Sequence, residues 1–213
     1  MNITILGTGR IAHAIATRML AGGNSCTLLT RDMGKAADLM QQLSPLAKGG
    51  ATVRVAALHS PISDPVVINT IWYQPARDVI AAYAQQLDGR ILVDVTNPLN
   101  STFDDLVVPP DTSAAEELAK LAPGAHVVKA FNTTLAGPLT QGQVALQALD
   151  VLIAGDDADA KATVAHLVEA GGQRPMDVGP LKRARQLEGL GLLLMVMMAK
   201  FPRPWMSAIK LVM

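Results

Sequence analysis

The chain of 213 residues has one cysteine, Cys26, and no excess of charge of either sign. A single cysteine excludes a disulfide framework and a cysteine-rich zinc site, and it suits a reducing compartment. Eighteen basic residues balance eighteen acidic ones, so the basic excess of many nucleic-acid-binding proteins is missing. The apolar run 190–199 is too short to cross a bilayer, and residues 1–6 carry no signal-peptide pattern. We therefore expect a cytoplasmic protein without a nucleic-acid or membrane partner.

Half of the residues are apolar and 17% are charged, which excludes a disordered chain. Short apolar runs alternate with helical patterns, and this alternation indicates a parallel α/β sheet. The runs are almost continuously apolar, as in strands that are covered on both faces. The pattern predicts strands at 2–6, 25–30, 52–56, 66–71, 91–94, 126–130 and 151–153, and helices at 10–21, 34–42, 75–85, 114–121 and 158–170.

The composition changes towards the C-terminus. Residues 182–199 begin with basic side chains and then become apolar nearly all round. A helix without a polar face must be buried, either beneath the sheet or against a second subunit. It is therefore a core helix, or else a homodimer contact or part of a substrate pocket. We predict a main domain over residues 1–155 and a small C-terminal helical portion over 156–213.

A glycine-rich motif follows the first predicted strand and opens the first predicted helix. In this motif Gly7 allows a tight turn, Gly9 lets the backbone approach a pyrophosphate, and Ala12 lets the helix pack closely on the strand. The amides at the helix N-terminus then hold the anion. This pattern is typical of a Rossmann-type, doubly wound, mostly parallel sheet that binds a dinucleotide. The motif residues are Gly7, Thr8, Gly9, Arg10, Ile11 and Ala12.

The end of the second strand indicates which dinucleotide binds. A carboxylate there favours NAD, whereas cations favour the 2′-phosphate of NADP. Thr30 offers a hydroxyl, Arg31 a planar fork suited to phosphate, and Lys35 a point charge about one helical turn further on. These residues predict NADP(H) as the cofactor. Asp32 would repel the 2′-phosphate unless it points to solvent, and its effect on the preference stays open.

Several motifs together resemble the NADP oxidoreductases that use the deazaflavin coenzyme F420. The same domain forms the cytoplasmic reductase part of the STEAP-type metalloreductases, which the run 128–133 also resembles. The position of Asn132 looks more like a histidine in the archaeal deazaflavin enzymes, so this run is closer to the metalloreductase domain. The motifs are residues 7–12, Thr30 and Arg31 with Lys35, residues 155–157 and residues 177–181.

The resemblance implies a Rossmann domain with a small C-terminal helical region. It also implies hydride exchange between NADPH and a flavin-like partner such as coenzyme F420 or FMN. Thr30, Arg31 and Lys35 would lie at the 2′-phosphate, and residues 70–73, 97–98 and 132–133 would surround the nicotinamide.

Ligands of an open parallel sheet lie beyond the carboxyl ends of its strands. There Trp72 and Tyr73 could stack on a nicotinamide or flavin ring, or simply cap the core. Asn97 and Asn132 could bind a carboxamide, or only form turns of their loops. No catalytic residue is firmly assigned, and the four histidines have no metal-ligand spacing. The candidates for a pocket that takes nicotinamide and a small-molecule redox acceptor are Thr70, Trp72, Tyr73, Asn97, Asn132 and Thr133.

These observations predict an NADPH-dependent oxidoreductase with a flavin-like acceptor. Hydride transfer between two redox cofactors needs chiefly their correct positions, whereas a carbonyl or imine reductase benefits from a placed proton donor. The absence of a convincing acid or base therefore favours the first class. An imine or carbonyl reductase of the pyrroline-carboxylate reductase type and a non-catalytic NADP-binding sensor remain as alternatives.

Overall fold

The computed structural model describes residues 1–198, 200 and 205–212. Strands and helices alternate along the chain, as the apolar pattern predicts. The strands are β1 (Asn2–Leu6), β2 (Ser25–Thr30), β3 (Val53–Ala57), β4 (Val66–Asn69), β5 (Ile91–Asp94), β6 (His126–Lys129), β7 (Gln143–Val144), β8 (Gln147–Ala148), β9 (Asp150–Gly155) and β10 (Arg174–Gly179). The helices are α1 (Arg10–Ala21), α2 (Met33–Leu43), α3 (Tyr73–Tyr83), α4 (Ala114–Leu121), α5 (Ala136–Gln141), α6 (Ala158–Ala170) and α7 (Ala184–Met198).

Eight of the strands in the described part of the chain form one sheet, in the order β10-β9-β6-β5-β4-β1-β2-β3. The neighbours from β3 to β6 are parallel, β9 runs antiparallel to β6, and β10 is parallel to β9. The order of the first six strands is the doubly wound arrangement, whose direction of winding reverses between β1 and β4. The predicted Rossmann-type, mostly parallel sheet is therefore confirmed.

Alternate residues of each central strand enter two separate cores, one on each face of the sheet. In β4, Val66 and Ile68 pack in the core that includes α1 and α6, while Val67 packs in the core that includes α3 and α4. Successive side chains of a strand point to opposite faces, and here both faces are covered by helices. This is why the strands read as continuous apolar runs in the sequence.

The predictions were wrong at some boundaries and missed several elements. The strand predicted at 66–71 ends at Asn69, because Thr70 turns its hydroxyl back to the carbonyl of Leu6. Helix α5, the short hairpin β7–β8 and the strand β10 were not predicted. β10 contains Pro175 and lies at the sheet edge, where a strand needs no apolar pattern. Residues 156–213 are therefore not purely helical, while the predicted domain boundary at 155 stays a prediction.

Helix α7 is buried on one side only. Leu187, Leu194 and Met198 are buried, whereas Leu193 and Val196 are exposed. The helix is thus neither wholly in the core nor wholly at the surface, and the homodimer contact through its exposed side stays a prediction. Among the helices of the described residues, none is long and apolar enough to span a bilayer.

Candidate functional site

The turn between β1 and α1 requires glycine at position 7. Gly7 has a φ of +109°, and a Cβ there would lie 2.7 Å from the Thr70 hydroxyl oxygen. Thr70 is itself fixed, because its hydroxyl donates to the carbonyl of Leu6 at 2.7 Å. Ala12 is fully buried where α1 packs on the sheet. The positions in this turn therefore have the conformation and the packing that the motif predicts.

The N-terminus of α1 is open to an anion. A Cβ on Gly9, the residue before the helix, would meet nothing within 4 Å. No side chain caps this end of the helix, and its first turn contains no acidic residue. The first amides of a helix have no partner within the helix, and the helix dipole places partial positive charge there. This end fits the pyrophosphate of a dinucleotide.

Two cavities meet at Gly9 and Arg10. The first, of about 450 Å³, is also lined by residues of α2 such as Lys35. The second, of about 420 Å³, lies at the carboxyl ends of β4, β5 and β6 and reaches α7. A dinucleotide consists of two halves joined by a pyrophosphate, so a cavity on each side of the α1 N-terminus matches its shape.

Thr30 connects the glycine-rich loop to the turn after β2. It is buried, and its hydroxyl oxygen lies 3.2 Å from the hydroxyl oxygen of Thr8 and accepts a hydrogen bond from the Asp32 amide at 3.1 Å. Arg31 is exposed beside it. Thr8 and Lys35 line the first cavity. Of the residues predicted for the 2′-phosphate, Arg31 and Lys35 present charge at the surface, while Thr30 holds the turn.

Asp32 caps helix α2 and pairs with Lys35, one of the residues predicted to bind the 2′-phosphate. Its Oδ1 accepts from the Lys35 amide at 3.0 Å, and its Oδ2 lies 3.3 Å from Lys35 Nζ. The backbone hydrogen bond from Lys35 is the main reason that the pKa of Asp32 lies below its usual value. The carboxylate is therefore held at the helix start, where it offsets part of the charge of Lys35.

Aromatic and apolar side chains form much of the second cavity. Trp72 is 61% exposed, and its ring lies 5.9 Å from that of Phe103 at an interplanar angle of 59°. Tyr73 does not reach this cavity, since it is only 6% exposed in the first turn of α3, and burial raises its pKa. Thr133 is also buried away from it, and Thr134 contributes instead. Among the predicted residues, the structure brings together Thr70, Trp72, Asn97 and Asn132.

The two predicted asparagines bind each other. Asn97 Nδ2 donates to the Asn132 carbonyl at 2.9 Å, and Asn132 Nδ2 donates to Asn97 Oδ1 at 2.9 Å and to the Leu187 carbonyl of α7 at 2.8 Å. The pair therefore ties the loops after β5 and β6 to α7. Asn132 Oδ1 is buried and has no hydrogen-bond partner among the described residues. The residue before it, Phe131, has a φ of +63°, a conformation that is uncommon for a bulky side chain and persists where the surrounding structure imposes it.

A buried ion cluster below this cavity was missed by sequence reasoning. Lys129 is fully buried, and its Nζ lies 2.7 Å from Asp94 Oδ2 and 2.7 Å from Glu188 Oε1. It also donates to the carbonyl of Thr96, a residue that lines the second cavity. Burial alone would lower the pKa of Lys129, but the two carboxylates outweigh it and raise the pKa, so the lysine stays charged. A lysine in an otherwise apolar strand was the signal available in the sequence.

Several further lining residues were also missed. They come from parts of the chain that carry no motif, and only the fold brings them to the two cavities. They are His13, Asp38, Gln42 and Thr140 in the first cavity, and Thr96 and Trp205 in the second. Leu194 and Met195 of α7 also line the second cavity, in agreement with the alternative that residues 182–199 form part of a pocket.

Lys129→Met should destabilise the protein strongly. It would leave the carboxylates of Asp94 and Glu188 buried without their cation, at a cost of about 3–5 kcal/mol in the free energy of unfolding. Urea denaturation measures this loss. Lys120→Met is the matched control, since it removes an exposed pair with Glu117 and should leave the midpoint unchanged. Equal midpoints for the two variants would contradict the role assigned to Lys129.

Gly189 and Gly191 of α7 should respond oppositely to alanine. Alanine favours a helix over glycine by about 1 kcal/mol at either position. A Cβ at Gly191 would lie 2.6 Å from both amide atoms of Asn97, whereas one at Gly189 would meet nothing within 4 Å. We expect Gly189→Ala to raise Tm and Gly191→Ala to lower it, because overpacking costs about 1–3 kcal/mol. Thermal unfolding followed by circular dichroism checks this, and two shifts of the same sign would refute it.

Comparisons with known proteins agree with this geometry. The family model described as NADP oxidoreductase, coenzyme F420-dependent, matches residues 2–98. The chain is 34% identical over 193 residues to Metalloreductase STEAP3 of Rattus norvegicus. That match covers 91% of this chain but 37% of the metalloreductase, so the chain spans little more than a third of this relative. A solved structure from Arthrobacter sp. FB24, described as a candidate F420-dependent NADP reductase, superposes with a TM-score of 0.83 at 26% identity and covers 95% of this chain and 96% of that one.

One relative matches over almost its full length. The F420-dependent NADP reductase of Methanothermobacter marburgensis is 30% identical over 208 residues, and the match covers 91% of each chain. The resemblance predicted from the sequence motifs is therefore confirmed, together with the prediction of an NADP-dependent oxidoreductase. The chain belongs to the family of coenzyme F420-dependent NADP oxidoreductases.

Proposed function

We propose that the protein transfers a hydride between NADP(H) and a flavin-like acceptor, with coenzyme F420 as the first candidate and FMN as the second. The observation that carries this proposal is the pair of cavities that meet at Gly9 and Arg10. One cavity is lined by Lys35 and several other polar side chains, while the other has an apolar and aromatic wall. This arrangement suits the phosphate-rich half of NADP on one side and two flat rings on the other.

The chain offers separate groups for each part of NADP. The free amides at the start of α1 would hold the pyrophosphate, and Arg31 and Lys35 would hold the 2′-phosphate. The nicotinamide, which supplies or accepts the hydride when NADP is bound, would lie in the cavity lined by Thr70 and Asn132. The buried Asn132 Oδ1 is available there as a hydrogen-bond acceptor for a carboxamide.

The second cavity is suited to positioning a ring. Its described walls consist of threonine hydroxyls, asparagine amides, apolar side chains, the rings of Trp72, Phe131 and Trp205, and Arg10. Transfer of a hydride between two ring cofactors depends mainly on holding them in contact, and solvent can supply any proton. Aromatic side chains at the cavity mouth provide a stacking surface for such a ring. Trp72, paired with Phe103, is the side chain best placed for this role.

Anaerobic oxidation of NADPH, with NADH in parallel, tests the proposed reaction. The purified protein is offered coenzyme F420, FMN, a ferric chelate and a cyclic imine. Rapid reduction of F420 or FMN with preference for NADPH supports the proposal. Turnover of the imine alone would replace it with a reductase of the pyrroline-carboxylate type. Tight NADPH binding without transfer to any acceptor would replace it with an NADP-binding sensor.

The cytoplasmic location stays a prediction.

Arg31→Ala should weaken NADPH binding far more than NADH binding. It removes a charge-assisted contact to the 2′-phosphate, so we expect the Kd for NADPH to rise by about tenfold to a hundredfold. The Kd for NADH should change little, because NADH lacks that phosphate. Fluorescence titration of both cofactors measures the two values. Arg54→Ala, at an exposed arginine of β3, is the matched control. Equal losses for NADPH and NADH would overturn the assignment.

A further inference from the structure

Residues 205–212 connect the second cavity with strand β9. Trp205 lines the cavity, while Lys210 and Leu211 bind Asp150, the first residue of β9. The segment forms neither a regular helix nor a strand. Because it lacks the repeated backbone hydrogen bonds of those elements, its position depends on individual contacts.

The first anchor of this segment is Asp150, which is almost fully buried. Its carboxylate accepts from Lys210 Nζ at 2.7 Å and from the Leu211 amide at 2.8 Å. Arg174 holds the same carboxylate with two hydrogen bonds, of 2.8 and 2.6 Å, and also donates to the Leu211 carbonyl. Burial alone would raise the pKa of Asp150, but these donors hold the pKa far below its usual range. The anchor is therefore ionised at neutral pH.

The second anchor is a close contact with α5. A Cβ on Gly137 would lie 2.5 Å from Met206 Sδ and 2.8 Å from the Trp205 carbonyl oxygen, so only glycine leaves room for the segment. Trp205 has a φ of +71°, a backbone conformation that costs energy for a tryptophan and persists only where neighbouring contacts impose it. Contacts with other residues therefore hold Trp205 in this conformation.

The chain length between the anchor and the ring limits how far Trp205 can move. Lys210 lies five positions after Trp205, and a fully extended chain of that length spans at most about 18 Å. While Lys210 and Leu211 are bound to Asp150, the Cα of Trp205 stays within that distance of the Cα of Lys210. If they are released, the segment keeps its contact with Gly137 and the packing of Ala208 against the core, neither of which is a hydrogen bond or an ion pair.

We propose that Asp150 is a positioning residue for the acceptor-binding cavity, acting through Lys210 and Leu211 to hold Trp205 in the cavity wall. This inference rests on the proposed function in one respect, since it takes this cavity as the place where the acceptor ring binds. Trp205 belongs to the wall that also contains Leu194 and Met195. Loss of its ring removes apolar surface from the acceptor side and leaves the phosphate contacts at α1 and α2 unchanged.

Lys210→Met tests the inference while leaving Arg174 paired with Asp150, so no charge is stranded. The matched control is Lys161→Met, which removes an ion pair of 2.8 Å with Asp177 away from the segment. We expect Lys210→Met to raise KM for the acceptor by about tenfold, which corresponds to about 1.4 kcal/mol, with the Kd for NADPH within about threefold of the original value. Lys161→Met should change neither.

Fluorescence gives a reading that does not depend on turnover. The sequence has two tryptophans, so in a Trp72→Phe background the emission reports Trp205 alone. Lys210→Met should make this emission more accessible to acrylamide and shift it to the red, while Lys161→Met should not. If Lys210→Met and Lys161→Met give the same quenching and the same acceptor KM, the inference is wrong. If no acceptor is reduced but the quenching changes as expected, the proposed reaction fails and the positioning of Trp205 stands.

Discussion

The buried charge of Lys129 determines how the carboxyl ends of the central strands meet the helices above them. Removing a charged lysine from water is costly, and it is tolerated only where the lysine finds its partners. Lys129 on β6 binds Asp94 on β5 and Glu188 on α7. Glu188 also accepts hydrogen bonds from the backbone amides of Ala114 and Ala115 at the start of α4. Two strands and two helices are therefore tied together here, because separating them would leave Lys129 in the core without its partners.

Hydrogen bonds connect the second cavity to this ion cluster. Lys129 also holds the carbonyl of Thr96, and the next residue, Asn97, pairs with Asn132 and packs against Gly191 of α7. The inner side of the cavity, at Thr96 and Asn97, is thus connected by hydrogen bonds to the buried Lys129. Its outer wall is different, since Trp72 is exposed and its ring lies against that of Phe103. A hydrogen-bonded inner side and an exposed aromatic wall would suit the proposed reaction, in which two rings must bind in contact and then leave.

Local signals account for the parts of the structure that could be predicted. The bounds of α1 and β2 follow directly from the glycine motif and from the apolar run, since both depend on neighbouring residues. The ion cluster could not be predicted, because the partners of Lys129 lie 35 and 59 residues away. Trp72 and Tyr73 are adjacent, yet one is exposed and the other buried. The turn into α3 directs them to opposite sides, and nothing in the sequence specifies that direction.

The choice of cofactor depends on how the two proposed phosphate sites are joined. The hydroxyls of Thr8 and Thr30 lie 3.2 Å apart, so the loop at the start of α1 and the turn before α2 form one unit. Arg31 and Lys35 are exposed, where salt weakens a single long-range attraction. Linking the two sites offsets this weakness. A dinucleotide whose pyrophosphate is already bound has lost most of its translational and rotational freedom, so its 2′-phosphate reaches Arg31 and Lys35 at little further entropic cost. Asp32 opposes this by holding Lys35. In the proposed binding mode Arg31, for which no ion pair is present among the described residues, would therefore carry most of the selection for NADP.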